Sequence, residues 1–490
     1  MTDKSLKRKT ITGFIWRLGE RCGAQGVQFI VSIVLARLLA PETYGTVALI
    51  TVFINIAFVF IDSGLSTSLI QKKDADDLDF SSVFYFNLLM CIALYGILFF
   101  CAPFIASFYE DSSLTLFVRV ISLTLLISGV RGIQNAYVSK NLLFKKFFFS
   151  TLGGTLFSAG FGIYLAYKGY GAWALVGQSL SNNIIDTCIL WFTVKWRPKL
   201  MFSFKRLKSL FSFGWKILAS SLLDTGYNQL RSLIIGKVYS SADLGYYNKG
   251  NNFPNIIVYN VTSSIDSVLL PSMSSVQDSI ETVKSMTRRA MRTCIFIIAP
   301  MLMGLAACGK ALISILLTDK WQPSYPFMVI FCITYMFYPI QTTNQNAIKA
   351  LGRSDLFLKL EIVKKLIGLI LILATFKISV MALAYSLLLT GFLSQVINSL
   401  PNKKLMNYSY LEQLADILPA MGLSAFMCVC VYGVNFFGFG SWLTLVIQVP
   451  LGIAIYIGLS ALFKLEAFVY VSNTVKPIIS KIFKNKNLSR

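Results

Sequence analysis

The sequence predicts an all-α polytopic membrane protein with about fourteen transmembrane helices, arranged as two six-helix lobes and two further helices. Three observations lead to this fold class. Of 490 residues, 55% are hydrophobic and only 14% are charged, which is too apolar for a water-soluble surface of ordinary size. Apolar runs of spanning length follow one another along the chain, and one polar helix recurs about two hundred residues later.

The apolar runs divide into three sets along the chain. The first six lie near 11–39, 44–62, 81–108, 114–137, 147–167 and 171–194. After a basic linker, six more lie near 210–238, 244–270, 291–317, 324–348, 358–376 and 379–399, and two last ones near 411–436 and 441–463. We therefore predict an N-lobe at 1–200, a C-lobe at 201–402, two extra helices at 403–464 and a basic cytoplasmic tail at 465–490.

The recurring helix is amphipathic in an unusual way, because its polar face carries cations inside an apolar chain. With 3.6 residues per turn, one face of 14–39 collects Arg17, Arg21, Gln25, Gln28 and Ser32. The matching face of 213–238 collects Lys216, Ser220, Asp224, Tyr227 and Arg231. Two halves that each begin in this way indicate a duplicated membrane protein with a polar cavity between the halves.

The formal charge of +23 could indicate a nucleic-acid partner, but the cations lie in alternate loops between the predicted helices. With a cytoplasmic N-terminus, one side holds roughly thirty Lys and Arg and the other about three. This asymmetry favours both termini inside and no nucleic-acid binding. There is no histidine, and the nine cysteines have no ligand spacing, so neither a metal site nor a disulfide framework is expected.

Charged residues within the predicted spans are the candidates for function. Each one costs ~2.5–3.5 kcal/mol to insert near the membrane centre, so it should face water or a partner. The cations outnumber the carboxylates, which suits an anion, and the paired donors of arginine suit phosphate. The candidate substrate-binding residues are Arg17, Arg21, Arg119, Arg131, Lys216 and Arg231.

Two readings of these charges stay open. Arg17 or Arg21 could pair with Glu20, and Arg231 with Asp224, as bridges that only fix helix packing. Alternatively, Asp224 or Asp266 could carry a coupling proton or sodium ion.

Catalysis is not expected. The chain has no GxxxxGK[ST] phosphate loop, and its outer loops are short, without the carboxylate sets that a metal-dependent transferase needs. We therefore predict no enzymatic activity and no cofactor.

Four segments resemble a known family. They are LARLLAPETYGTVALI at 35–50, DSGLSTSLIQKK at 62–73, NLLFKK at 141–146 and PSMSSVQD at 271–278. They are similar to polysaccharide transporters of the multidrug/oligosaccharidyl-lipid/polysaccharide exporter superfamily, especially the flippases for colanic acid and lipopolysaccharide-related polysaccharides. The resemblance implies pseudo-twofold lobes and alternating access in the bacterial cytoplasmic (inner) membrane. The implied substrate is an oligosaccharide on undecaprenyl pyrophosphate, with Arg17 and Arg21 matching the family's pyrophosphate-binding arginines.

Further expected partners are membrane lipids, a coupling proton or sodium ion, and polysaccharide polymerase machinery. Two alternatives remain: a drug or metabolite:cation antiporter of the same fold, and a membrane-embedded polysaccharide polymerase or ligase. An antiporter for cationic substrates would be expected to carry a more acidic cavity, and a polymerase or ligase a long outer loop with catalytic groups.

Overall fold

The computed structural model describes residues 3–61, 65–72 and 74–473. Side chains of some residues within the described helices, including Lys216, lie outside the described set, as does most of the predicted tail at 465–490. The described regular elements are all helices, which confirms the predicted all-α class.

Nine α-helices make up most of the first half. They are α1 (Asp3–Leu38), α2 (Pro41–Ile61), α3 (Leu65–Gln71), α4 (Asp77–Tyr109), α5 (Ser113–Ile121), α6 (Leu123–Lys140), α7 (Phe144–Tyr167), α8 (Ala172–Thr193) and α9 (Phe204–Val238).

Eight more follow, with 3-10 turns at Asp319–Ser324 and Val434–Phe437. They are α10 (Ser241–Ser274), α11 (Ile280–Leu316), α12 (Tyr325–Met336), α13 (Tyr338–Ala350), α14 (Ser354–Thr375), α15 (Val380–Met406), α16 (Tyr410–Gly433) and α17 (Ser441–Leu462).

Every predicted apolar run coincides with one of these helices or with a consecutive pair. Among the described residues, ten helices or pairs are long and apolar enough to cross a membrane, which confirms a multi-pass membrane protein. Five further described helices fall outside that set: the seven-residue α3 and the longer α1, α8, α9 and α14. The recurring polar stripe explains this for α1 and α9, and the total of fourteen spans stays a prediction.

The fourth run of each predicted six-helix set is broken near its middle. In the first set, α5 and α6 are separated at Ser122, whose hydroxyl donates to the Val118 carbonyl at 2.6 Å. In the second set, α12 and α13 are separated at Phe337, two residues before Pro339. Proline removes a backbone donor and so favours a break, whereas in the first set a serine bonds back to the preceding turn. The fourth predicted helix of each set is therefore interrupted in the structure.

Residues Met1–Gly245 form one compact unit. Its apolar core is built by α3, α4, α6 and α8, with buried residues such as Leu69, Val83, Ile133 and Leu190. Within this unit α7 packs along α1, and α9 packs against α2, α3 and α4. The helix that opens the second repeat thus lies in the first compact unit, and the predicted lobe limits at residues 200 and 402 stay predictions.

Residues Tyr246–Arg490 form the second unit, in which α11 packs against α12, α13, α15, α16 and α17. The α11–α16–α17 side is apolar, with Phe296, Met427 and Tyr456 in its core. The side where α13, α15 and α16 meet is instead polar, because the buried amide of Asn344 donates to Ser399 at 3.0 Å and to Gln413 at 2.8 Å.

Candidate functional site

The first polar stripe lies on α1, where Arg17 is held in place from two sides. Its guanidinium donates to Glu20 at 2.5 Å and lies 5.0 Å from the centre of the Phe147 ring on α7. Glu20 is buried and also accepts from the Thr151 hydroxyl at 3.1 Å. The pairing with Glu20 that the sequence left open therefore exists for Arg17, although 39% of the Arg17 side chain is still exposed.

Arg21, one turn further along α1, differs from Arg17. Its side chain is exposed, and it makes no ion pair or hydrogen bond with any described residue. Gln25 and Gln28 continue the same face and are also exposed. The stripe that the 3.6-residue period predicts is therefore present as an accessible row of polar groups that follows Arg17.

The second stripe lies on α9, and its central cation is buried. Arg231 is 4% exposed, and its guanidinium lies 6.0 Å from the centre of the Tyr227 ring. Its Nε and Nη2 atoms and the Tyr227 hydroxyl have no hydrogen-bond partner among the described residues. A salt bridge with Asp224 is absent from the described contacts of Arg231, and Asp224 is exposed and accepts from Asn228 at 3.2 Å.

Unpartnered guanidinium nitrogens are costly in a membrane protein. Leaving a buried charged donor without a partner costs more than the ~1–3 kcal/mol typical of a neutral one. A ligand or water that accepts from Nε and Nη2 would remove this cost, and an anion would also neutralise the charge. Arg231 is thus the described candidate cation with the strongest physical requirement for an external partner.

Arg131 forms an ion pair within the first unit. It pairs with Asp186 at 2.6 Å and so links α6 to α8, with side-chain exposures of 25% and 12%. Gly154 of α7 lies so close that a Cβ there would be 3.1 Å from the Asp186 Cβ. This close packing favours a structural part for the pair, and substrate binding by Arg131 stays a prediction.

Arg119 is also engaged within the first unit. Its Nε donates to the Phe99 carbonyl at 3.2 Å, and its guanidinium lies 4.2 Å from the centre of the Phe99 ring. The contact anchors α5 on α4, and a part for Arg119 in substrate binding likewise stays a prediction.

Three predicted site residues remain. The side chain of Lys216 lies outside the described residues. Asp224 lies on the exposed face of α9. Asp266 belongs to the second unit, where the Asn346 amide donates to it at 2.7 Å. The described contacts therefore bring Arg17 to Glu20 and Arg131 to Asp186, and they join none of the six cations directly to another.

The sequence reasoning missed a buried row of polar side chains on α15. Gln395, Asn398 and Asn402 are completely buried, and all have side-chain atoms without a partner among the described residues. Asn402 also donates to Asn344 at 2.5 Å. Polar residues recur on this helix at the spacing of one face, and this periodicity in the sequence could have identified the row.

Lys249 on α10 is a further cation, and it is not among the site residues predicted from the sequence. It is 4% exposed, and its ammonium lies 5.6 Å from the centre of the Trp321 ring. A cation over an aromatic face is a favourable contact, so the second unit also holds a buried cation.

Comparison with known proteins identifies the family. The family described as "Polysaccharide biosynthesis protein" matches residues 34–326, which is more than half of the chain. This protein is a member of that family. The matched range includes Arg119, Arg131, Lys216 and Arg231 and begins after Arg17 and Arg21. The resemblance seen in the four sequence segments is thereby confirmed.

Curated relatives of this family member have names from polysaccharide biosynthesis. The chain is 26% identical over 308 residues to the teichuronic acid biosynthesis protein TuaB of Bacillus subtilis (strain 168), covering 61% of the chain and 62% of TuaB. It is 22% identical over 366 residues to the lipopolysaccharide biosynthesis protein WzxC of Escherichia coli (strain K12), covering 74% of each. In its match to TuaB, the chain spans less than two thirds of that relative.

Solved structures share the fold. The lipid II flippase MurJ in an inward closed conformation aligns with a TM-score of 0.72 at 16% identity, covering 93% of this chain and 98% of MurJ. An inward-facing multidrug resistance MATE family transporter aligns with a TM-score of 0.60 at 12% identity, covering 84% of this chain and all of that one. The polysaccharide biosynthesis family member thus has the fold of these transporters.

Proposed function

We propose that this protein is a flippase that moves an oligosaccharide on undecaprenyl pyrophosphate across the bacterial cytoplasmic membrane for surface polysaccharide biosynthesis. The observation that carries the proposal is Arg231, a buried arginine of a membrane-protein helix with two unpartnered donors. Arg21, exposed on the helix that matches α9 in the repeat, supplies a second cation without a counter-charge among the described residues.

The chemistry of the head group explains why cations are needed. A pyrophosphate with attached sugars cannot cross hydrocarbon unaided, because it would lose its hydration. Arginine replaces water with paired, charge-assisted hydrogen bonds and stays charged when partly dehydrated. Exposed Gln25 and Gln28 on the first stripe, and exposed Asn228 beside Asp224 on α9, offer amides to sugar hydroxyls.

Alternating access follows from the internal repeat. A transporter built from equivalent halves can alternate between conformations that expose the substrate to one side of the membrane at a time. The polyprenyl tail stays in lipid while the head group crosses along the polar stripes. We propose that both termini are cytoplasmic, as the loop charges favour. Release requires that the cations bind the pyrophosphate only moderately tightly.

Ion coupling and assembly are further parts of the proposal. Asp224 is exposed on the polar stripe and Asp266 holds a hydrogen bond from Asn346, so either carboxylate could take up a proton or sodium ion during the cycle. Polysaccharide polymerase machinery would receive the transported unit.

Two other functions compete with this one. The MATE-like fold, at a TM-score of 0.60, favours a drug or metabolite:cation antiporter as the second candidate. Such a cavity should attract cations, whereas Arg21 and Arg231 repel them. A polysaccharide polymerase or ligase is disfavoured by the short loops that connect the helices.

The direct test is transport by the purified full-length protein in proteoliposomes. A fluorescent oligosaccharide on undecaprenyl pyrophosphate is placed in both leaflets, and a membrane-impermeant quencher reports the fraction that changes leaflet. We expect movement that depends on the protein, and no uptake of a cationic dye driven by a proton or sodium gradient. Dye transport without movement of the lipid-linked sugar would contradict the proposal and support the antiporter.

A further inference from the structure

A groove on the first compact unit is lined by none of the residues of the polar stripes. Its volume is about 340 Å³, and it is lined by Leu143, Lys145, Lys146, Phe149 and Thr193. These residues come from the turn between α6 and α7, the first turns of α7 and the end of α8. The accessible surface of the groove is almost entirely apolar, although two lysines border it.

The two ammonium groups at this groove have no ion-pair partner among the described residues. Lys146 donates to the Thr193 carbonyl at 2.6 Å. The Lys145 ammonium lies 5.5 Å from the Trp16 ring centre and 5.9 Å from that of Phe149. Neither lysine forms an ion pair with a described carboxylate. Two positive charges therefore meet at an apolar groove with a carbonyl and aromatic faces as their described partners.

The groove lies where a spanning helix begins. Helix α7 is long and apolar enough to cross a membrane and starts at Phe144, so both lysines are in its first turn. Phe149 follows one turn deeper and is 50% exposed. Cations at the helix end above an exposed aromatic side chain complement an amphiphile with an anionic head and an apolar tail.

The groove and the Arg17 contact lie on different faces of α7. Lys145 and Phe149 are exposed, whereas Phe147, which packs against Arg17, is buried. At 3.6 residues per turn, Phe147 lies roughly 160° around the helix from both of them. This separation favours a lipid of the surrounding bilayer over the transported lipid as the occupant.

We infer that this groove binds the phosphate head group of an anionic glycerophospholipid, with the ammonium groups of Lys145 and Lys146 as the recognising charges. The acyl chain lies along the exposed ring of Phe149. Such a lipid would hold the start of α7 and the end of α8 at the membrane interface. The inference requires no transported substrate and so does not depend on the proposed function.

The experiment uses the full-length protein, purified in detergent and stripped of lipid. Native mass spectrometry then measures the binding of phosphatidylglycerol and of phosphatidylcholine with the same acyl chains. We expect phosphatidylglycerol to bind more tightly. Lys145→Gln/Lys146→Gln should weaken it roughly 25-fold and remove the preference, since each interfacial lysine contributes about a fivefold gain.

A matched control is available in the second unit. Lys403 and Lys404 are also adjacent, exposed and in the last turn of a spanning helix, α15. Lys403→Gln/Lys404→Gln removes the same charge without touching the groove and should leave the preference unchanged. Lys145→Arg/Lys146→Arg should keep it.

A second variant protects the test against misfolding. Thr193→Trp fills the groove without changing any charge and should weaken phosphatidylglycerol binding. The inference is overturned if wild type does not prefer phosphatidylglycerol, or if neither groove variant reduces that preference. It is also overturned if undecaprenyl phosphate displaces phosphatidylglycerol one for one, because the groove would then belong to the transported lipid.

Discussion

Gly45 and Gly245 form a reciprocal contact between the starts of α2 and α10. A Cβ built on Gly45 would lie 1.6 Å from the Ser241 carbonyl oxygen, and one built on Gly245 would lie 2.3 Å from the Pro41 carbonyl oxygen. The glycines are 200 positions apart, and so are Pro41 and Ser241. Equivalent residues of the two repeats therefore meet, and only glycine allows the approach.

Alanine at either glycine should disrupt this contact. Because the nearest atoms are backbone carbonyls, the helix starts would have to move apart, and we expect Gly45→Ala and Gly245→Ala each to lose ~1–3 kcal/mol of stability. Thermal unfolding of the purified protein measures the loss. Gly160→Ala on α7 is the matched control, since no atom lies within 4 Å of a Cβ there. Equal thermal unfolding midpoints for all three variants would contradict the close approach of the α2 and α10 helix starts.

Substitution of Arg231 should separate transport from stability. Arg231→Met removes a buried charge with unpartnered donors, so the variant should be at least as stable as wild type. Transport should fall roughly 10- to 100-fold, the value of one or two charge-assisted hydrogen bonds. Arg231→Lys should recover part of it, because it keeps the charge but not the paired donors. Leaflet movement in proteoliposomes and thermal unfolding measure the two effects.

Lys403→Gln is the control for Arg231→Met, because it removes an exposed charge in the last turn of α15 and should leave both transport and stability unchanged. If Arg231→Met lost stability and transport in proportion, Arg231 would only support packing.

The Arg131–Asp186 pair should show the opposite behaviour. Asp186→Leu leaves the Arg131 charge without its partner and should cost ~3–5 kcal/mol. The double variant Arg131→Met/Asp186→Leu should recover most of that stability and should also transport. Thermal unfolding and leaflet movement test both statements. A double variant that is stable but inactive would instead place Arg131 at the substrate.

The contacts of Asp76 at the start of α4 predict that the stability of the fold depends on pH. The Arg206 guanidinium donates to both Asp76 carboxylate oxygens at 2.6 Å, and the Asp79 backbone N–H donates at 3.0 Å, which lowers the pKa of Asp76 to about 2. A lowered pKa stabilises the fold above the unfolded value of 3.8, and this contribution is lost as the pH falls through about 2.

Asp76→Asn should therefore lower the unfolding temperature by a constant amount from pH 7 to about 4, with the difference from wild type shrinking below that. Asp74→Asn is the control, because Asp74 is an exposed turn residue two positions before Asp76. This variant should show no such change. A difference that grows on acidification would contradict the Arg206 contact as its source.

The helices could be read from the sequence because apolar runs of spanning length are nearly sufficient to define them. All predicted runs coincide with helices, and the described residues of the two polar stripes lie on α1 and α9. The breaks at Ser122 and Phe337 were not predicted, because hydropathy does not respond to one interrupted turn. The reciprocal glycine contact was missed as well, since glycine is common in membrane helices for many reasons.

The site was harder to predict because charge patterns identify cations without assigning their partners. From the sequence, Glu20 could form an ion pair with either Arg17 or Arg21. In the structure it pairs with Arg17. Asp186 is separated from Arg131 by 55 positions, so helical spacing could not connect them. The α15 amides have no charge, and for that reason a search for intramembrane charge passed over them.

The most direct test of the flippase proposal is made in cells that lack this protein. The polyprenyl-linked oligosaccharides are extracted and sized, and an impermeant reagent reports whether their sugars can be reached from outside the cytoplasmic membrane. We predict complete repeat units that accumulate and stay unreachable until wild-type protein is restored. Complete units that are reachable in its absence would contradict the account and place the block after translocation.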